Sequence, residues 1–558
     1  MDRELTKVIE DFNHAVDVEA LRLVKKSGEY SLSRSGDNSC SVVRVEQEFL
    51  LMRLKRVETG YSRRLCCMEG TRQSLLNQII AWVANKSGQK DESRTYWIYG
   101  SPGIGKTSLA HSICEKLHDQ NHLAGAFFCR KDDPNLSELG HITPTLIYRL
   151  AEIFPPFRSV VANRLRNDPN LTPESMKDSL FLDFVRDLPR HPKHALVFVI
   201  DAFDECGDDR SRPVLLKALS NLAAHTSWLK IIITSRPEAD IQEFLDTLTR
   251  PPYSSHDLAT DQEASADLRT FTESEFGLVA KTWCLPKPWP DESLLDGIIS
   301  RANGLFIFIK TVVRAFEQCE DPTEALKAAL RHSAGTGVES LYGLYSSILK
   351  ARIVHSNAEF RQMIGVLLTT SPHRALCEET IAKLAGVRPN LVRKWVNDLS
   401  SLLSRDDAAN GGIRVRHLSI SDFFYSDHCA YQIKPEDANR KLGIACLETM
   451  VKQLRFNICK LEDSRLANAD IKDLPSRIKE NISDPLQYSS LYWSNHLCFT
   501  PDNGDLPVWD KLKEFFEGLY GLFWVEVLSI MGMVPIGAPS LRRVISWAKV
   551  SISLARHL

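Results

Sequence analysis

Residues 100–107 read Gly100-Ser101-Pro102-Gly103-Ile104-Gly105-Lys106-Thr107, and Ser108 follows. This is a G-x-x-x-x-G-K-T loop, and its residue types suit one chemistry. Glycines let the backbone wrap phosphates without Cβ clashes. Successive N–H groups and a helix N-terminus supply positive potential. Lys106 is placed to reach β- and γ-phosphates, and the Thr107 hydroxyl to ligate Mg²⁺. The segment from Gly100 to Ser108 therefore predicts binding of a purine nucleoside triphosphate with magnesium.

Two further segments carry groups that such a ligand needs. Ala195 to Asp201 is an apolar run ending in a carboxylate, followed by Ala202-Phe203-Asp204-Glu205. Asp201 is the expected Mg²⁺-side acid, acting through a water. Asp204 or Glu205 could orient or deprotonate an attacking water, and the residues alone leave both open. Leu229 to Thr234 runs into Ser235-Arg236-Pro237-Glu238. Arg236, at that edge, is placed to reach a γ-phosphate.

Around these groups, residues 65–260 hold β-type runs at Thr95–Gly100, Ala124–Cys129, Ala195–Asp201 and Leu229–Thr234. Helix-period segments lie between them. Alternating strands and helices predict an α/β core: a parallel sheet covered on both faces, with the ligand at the strands' carboxyl ends. The runs are apolar at both parities, as strands buried on two sides require. From about 261 the β signal fades. Helices are expected at 262–277, 291–301, 305–318, 340–353, 358–369, 376–385, 389–403, 435–455 and 508–530. No period of 20–50 residues repeats, which argues against a solenoid or propeller. The expected division is a helical, partly disordered leader over 1–64 and a nucleotide-binding core over 65–260. A helical domain follows over 261–355, a winged-helix-like domain over 356–432 and a helical region over 433–558.

Composition narrows the class. The 558 residues carry 69 Lys plus Arg against 71 Asp plus Glu, a net charge of −2, so bulk charge gives no prior for nucleic acid. The 13 cysteines include no C-x-x-C, and Cys66-Cys67 are adjacent, which argues against a disulfide framework or zinc site. They read as reduced thiols in an intracellular, cytoplasmic protein. The first residues, MDRELTKVIE, lack the apolar core of a secretion signal. The apolar stretch 519–541 is broken by Glu526, Gly532 and Pro535, and reads as buried helix rather than membrane span.

GSPGIGKTS, VFVIDAFDEC and IIITSRPE together resemble the NACHT class of signal-transduction ATPases, the STAND proteins, in their fungal form. Ala202 after Asp201, with Asp204-Glu205 beyond, is the most distinguishing part. Glu69-Gly70-Thr71-Arg72 resembles the segment leading into fungal NACHT cores. Ala302 to Ile307 and Leu341 to Tyr345 resemble the helical stretch after it. His417-Leu418-Ser419-Ile420-Ser421-Asp422-Phe423 resembles the winged-helix histidine segment H-x-S-x-x-D-F, and Leu486 to Leu497 looks like basidiomycete members. The resemblance implies an ATP/ADP switch with slow hydrolysis. ADP holds a closed monomer, exchange for ATP permits homo-oligomerisation towards an unknown protein effector, and the setting is non-self recognition or cell death. It further implies that His417 contacts the β-phosphate; without it, His417 reads as an ordinary histidine at a domain seam. Two departures stand out. C-terminal repeats usual in fungal members are not seen before Leu558, and the first 60 residues match no effector. A truncated gene model, a paralogue acting in trans and a short helical sensor are the alternatives.

Beside the switch stand a turnover ATPase that remodels a partner and a nucleotide-binding scaffold without hydrolysis. The helical and winged-helix-like segments, with no basic channel, favour the switch. Neither a nucleic acid nor a membrane is indicated as a direct partner.

Overall fold

A computed structural model describes residues 38–54, 56–84, 93–168, 180–248, 253–261, 263–332, 335–353, 357–406, 411–463, 466–499 and 506–555. Most of the expected 1–64 leader lies outside them. Five parallel strands form the central sheet: β1 Thr95–Tyr99, β2 Leu123–Phe128, β3 Leu196–Asp201, β4 Leu229–Ser235 and β5 Tyr253–Asp257. Their order is β2-β3-β4-β1-β5. All six β3 residues are buried. Val197 and Val199 enter one core, while Phe198 and Ile200 enter the core on the opposite face. That two-sided burial is why the strand is apolar at every position.

β5 departs from expectation. Its sequence, YSSHD, is polar, and it pairs only with β1, at the edge of the sheet. An edge strand can face solvent, so it carries no apolar run to be read. β4 lies between β1 and β3: Ile232 aligns with Tyr96 of β1 and with Val199 of β3. The parallel register brings Gly100, Asp201 and Arg236 to one edge, where α/β sheets bind ligands.

The core is followed by helices Ala264–Thr282, Glu292–Ala302, Phe306–Ala315, Pro322–His332 and Val338–Arg352. Helices Asn357–Thr370, Glu378–Ala385 and Pro389–Asp398 come next. An antiparallel hairpin, β6 Leu403–Asp406 with β7 Gly412–Val415, leads into helix Leu418–Tyr425. The helix expected over 389–403 thus stops at Asp398, because Leu403 is drawn into pairing with Val415. The helix expected over 508–530 is two, Leu506–Glu517 and Tyr520–Ile530. Gly518 and Leu519, the latter at φ +64°, break it; a left-handed residue cannot continue a right-handed helix. No described helix is long and apolar enough to cross a membrane.

Candidate functional site

The Gly100–Gly105 loop joins β1 to helix Lys106–Asp119. Gly103 (φ +84°) and Gly105 (φ +98°) occupy the left-handed region, which a Cβ would strain. Lys106 Nζ donates to the carbonyls of Gly100 (2.7 Å) and Ser101 (3.0 Å), so its ammonium lies along the loop. Burial lowers its pKa, and the carboxylates of Asp204 and Asp201 oppose that shift. Beneath the loop, buried Arg72 donates to the Ile104 carbonyl (3.3 Å) and pairs with Asp261 at 2.6 Å. The Gly70-Thr71-Arg72 segment thereby fixes the loop from below.

Asp201 is buried and accepts from the Thr234 hydroxyl at 2.5 Å. Burial raises its pKa, while hydrogen bonds from Thr234 and Thr107 pull it down. Thr107 and Asp201 therefore converge, although they start from different elements. Asp204 and Glu205 are not equivalent. Asp204 accepts the Arg236 backbone N–H at 3.0 Å and lies 3.3 Å from Arg236 Nε. Among the described residues Glu205 accepts only the Lys131 N–H, at 3.1 Å. Burial, reinforced by the charges of Asp204 and Asp201 against that hydrogen bond, pushes its pKa up to about 7. A carboxyl near neutrality suits proton transfer; one clamped by a guanidinium does not.

The other faces of the cavity come from beyond the sheet. Ile307 N–H, at the start of helix Phe306–Ala315, donates to Gly103 O at 3.2 Å. A methyl added at Gly103 would sit 2.1 Å from Ile307 Cγ2 and 3.8 Å from His417 Cε1. Arg236 extends to Asp422 of helix Leu418–Tyr425, Nη2 to Oδ2 2.9 Å. Arg414 of β7 reaches Asp132, just past β2, at 3.0 Å. Two ion pairs thus brace the hairpin unit against the core.

His417 caps helix Leu418–Tyr425, with Nδ1 accepting the Ser419 N–H at 3.1 Å. Ser419 Oγ lies 2.7 Å from the same nitrogen and 2.9 Å from Tyr345 Oη. Nδ1 is already an acceptor, so Ser419 must donate to it and accept from Tyr345. Burial, and then the charges of Lys106, Arg236, Arg314 and Lys310, hold its pKa at about 4. The imidazole is neutral at pH 7, with its proton on Nε2.

Many of these groups line one cavity of about 610 Å³, a size that accepts a nucleotide. It brings together Pro102, Gly103, Gly105 to Ser108, Asp204, Glu205, Arg236 and His417. Gly100, Ser101 and Ile104 shape the loop behind it, and Asp201 stands beneath Thr107. Converging hydroxyl and carboxylate oxygens suit a hard cation. Among the described residues no group of three His, Cys, Asp or Glu could cage a metal. Sequence reasoning gave no role to Lys310, Arg314, Arg414, Asp132 or Asp422. Of these only Asp422 lay in a motif; Arg414 and Asp132 acquire meaning from each other, far apart in the chain.

A family profile described as "Nephrocystin 3, N-terminal" matches residues 70–236, the span from the Arg72 segment to Arg236. The vegetative incompatibility protein HET-E-1 of Podospora anserina is 25% identical over 542 aligned residues, covering 85% of this chain. These two matches support a NACHT-type family for the chain. A protein of Arabidopsis thaliana named as a candidate for disease resistance is 22% identical over 252 residues, 44% of this chain. The chain spans 36% and 20% of the lengths of these two relatives. A Walker-type ATPase of Pyrococcus abyssi aligns over 66% of this chain and 99% of its own, with 14% identity and a TM-score of 0.31, too low to add to the argument.

Proposed function

We propose that this chain is an ATP/ADP-controlled switch with slow hydrolysis, acting in non-self recognition or cell death. The observation that carries it is that Arg236, at the edge of the nucleotide sheet, is held by Asp422 of the hairpin unit. The name of the Podospora relative supports the biological setting. Lys106 and the loop N–H groups would hold the β- and γ-phosphates, and Thr107 with Asp201 the Mg²⁺ ion. Magnesium, when bound, neutralises phosphate charge. His417 offers Nε2–H to the β-phosphate from the other side of the cavity. Arg236 has one guanidinium for Asp204, Asp422 and a terminal phosphate. In turning towards that phosphate it must loosen its hold on Asp422, which frees the hairpin unit and permits self-association.

Asp422→Asn should therefore favour the open form about tenfold, the scale of one charge-assisted bond at a half-exposed site. Size-exclusion radius and ADP release rate report it; no change in either would remove Asp422 from the switch. Steady-state turnover discriminates the classes: a rate well above about 1 s⁻¹, in the ordinary enzyme range, would favour a partner-remodelling ATPase.

Glu205 is the base in this scheme. Its raised pKa means that the ionised form grows as pH climbs through 7, so hydrolysis should rise between about pH 6 and 8 and then level off. Glu205→Gln should abolish that step and slow hydrolysis about 10²–10⁴-fold. A pH profile identical to wild type would assign the base elsewhere.

A further inference from the structure

Helix Phe306–Ala315 turns one stripe into the cavity. Ile307 packs on Gly103, and Lys310 and Arg314 follow one and two turns on. The other arginines of the cavity wall are engaged. Arg236 and Arg414 hold carboxylates, and Arg416 donates to the carbonyls of Ser400 (2.6 Å) and Leu403 (2.9 Å). Arg130 pairs with Asp132. Arg314 differs: among the described residues it makes no hydrogen bond or ion pair. Burial, and then the charge of Arg416, depresses its pKa. Glu317 and Glu275 act on it only from beyond bonding distance.

A guanidinium stays charged in a protein, and its five donors form a planar fork. Leaving it half-buried beside another cation is unfavourable unless an anion completes it. Lys310 adds a second charge on the same stripe, its Nζ 5.8 Å from the Phe271 ring centre. Both cations act on His417, whose Nε2–H is the available donor of that ring. Two cations and a neutral donor in a cavity of about 610 Å³ match a compact, multiply charged oxyanion.

We propose that Arg314 and Lys310 form a phosphoryl-binding subsite on the helical wall of the cavity, separate from the Lys106 loop. This rests on the nucleotide reading of the cavity. The chemistry is a phosphoryl dianion, and two sources carry it: the terminal phosphate of a bound triphosphate, or free orthophosphate beside bound ADP. Because the subsite sits on the helix that packs against Gly103, its occupancy reports phosphate to the helical unit directly.

Calorimetric titration of the full chain tests this with three probes: ADP, the imido analogue of ATP, and orthophosphate added to the ADP-loaded protein. Arg314→Gln should shrink the ratio of triphosphate to ADP affinity about thirtyfold if the nucleotide is the source. It should instead abolish orthophosphate binding to the ADP-loaded chain if free phosphate is the source. Arg314→Lys keeps the charge without the fork and should recover part of either effect, which separates lost binding from lost folding. An affinity ratio and orthophosphate binding both unchanged in Arg314→Gln overturn the subsite. A wild-type chain that takes orthophosphate through Arg314 but binds no nucleotide would keep the subsite and sink the switch.

Discussion

Lys106→Ala should abolish measurable nucleotide binding. The ammonium lies along the loop on the Gly100 and Ser101 carbonyls, poised over the path that phosphates must take. It is largely buried, so its charge acts through little water. Losing the cation that we propose holds two phosphates should weaken ATP and ADP about a thousandfold, two charge-assisted bonds' worth. The carboxylates would also become unbalanced, since Asp201, Asp204 and Glu205 all act on this ammonium. Equilibrium titration with a fluorescent nucleotide measures the effect. Submicromolar affinity retained by the variant would show that the loop does not hold the phosphates.

Gly103→Ala should be nearly as severe, for a different reason. The residue sits at φ +84°, and a Cβ there would lie 2.1 Å from Ile307 Cγ2. Left-handed strain and overpacking each cost roughly 1–3 kcal/mol. The sheet cannot give way, because β1 is paired on both sides, so the seam with helix Phe306–Ala315 must. Hydrogen exchange at the Ile307 amide, which donates to Gly103 O, should accelerate about a hundredfold or more. Adding Ile307→Ala should restore part of the protection, because it removes the 2.1 Å contact and leaves only the Ile307 Cβ at 2.9 Å. Wild-type exchange in the single variant would mean that the helix does not rest on the loop.

How far the sequence foretold the molecule differed by element. β1 to β4 were legible because strands buried on two faces are apolar throughout, and Gly100–Thr107 because its residue types serve one geometry. β5 was hidden by its polar edge position, and the β6–β7 hairpin by strands of only four residues. Gly103 was read as room for phosphates; its contact with Ile307 lies in no local pattern. Asp204 and Glu205 stayed ambiguous in the sequence because their difference lies in distant partners, Arg236 for one and Lys131 for the other. Arg314 could not be singled out by type. Only the partners of its neighbours reveal that, among the described residues, it lacks one.

The sheet order has a bearing on biosynthesis. β1 carries the loop, yet both of its neighbours, β4 and β5, are translated long after it. Tyr99 cannot meet Asp257 until that residue has left the ribosome, on the order of ten seconds later at ordinary elongation rates. His417 and Asp422 arrive later still. A nascent chain therefore passes through an interval in which the loop exists but its braces do not. Chaperone engagement should concentrate in that window, before the cavity can be shut from the far side.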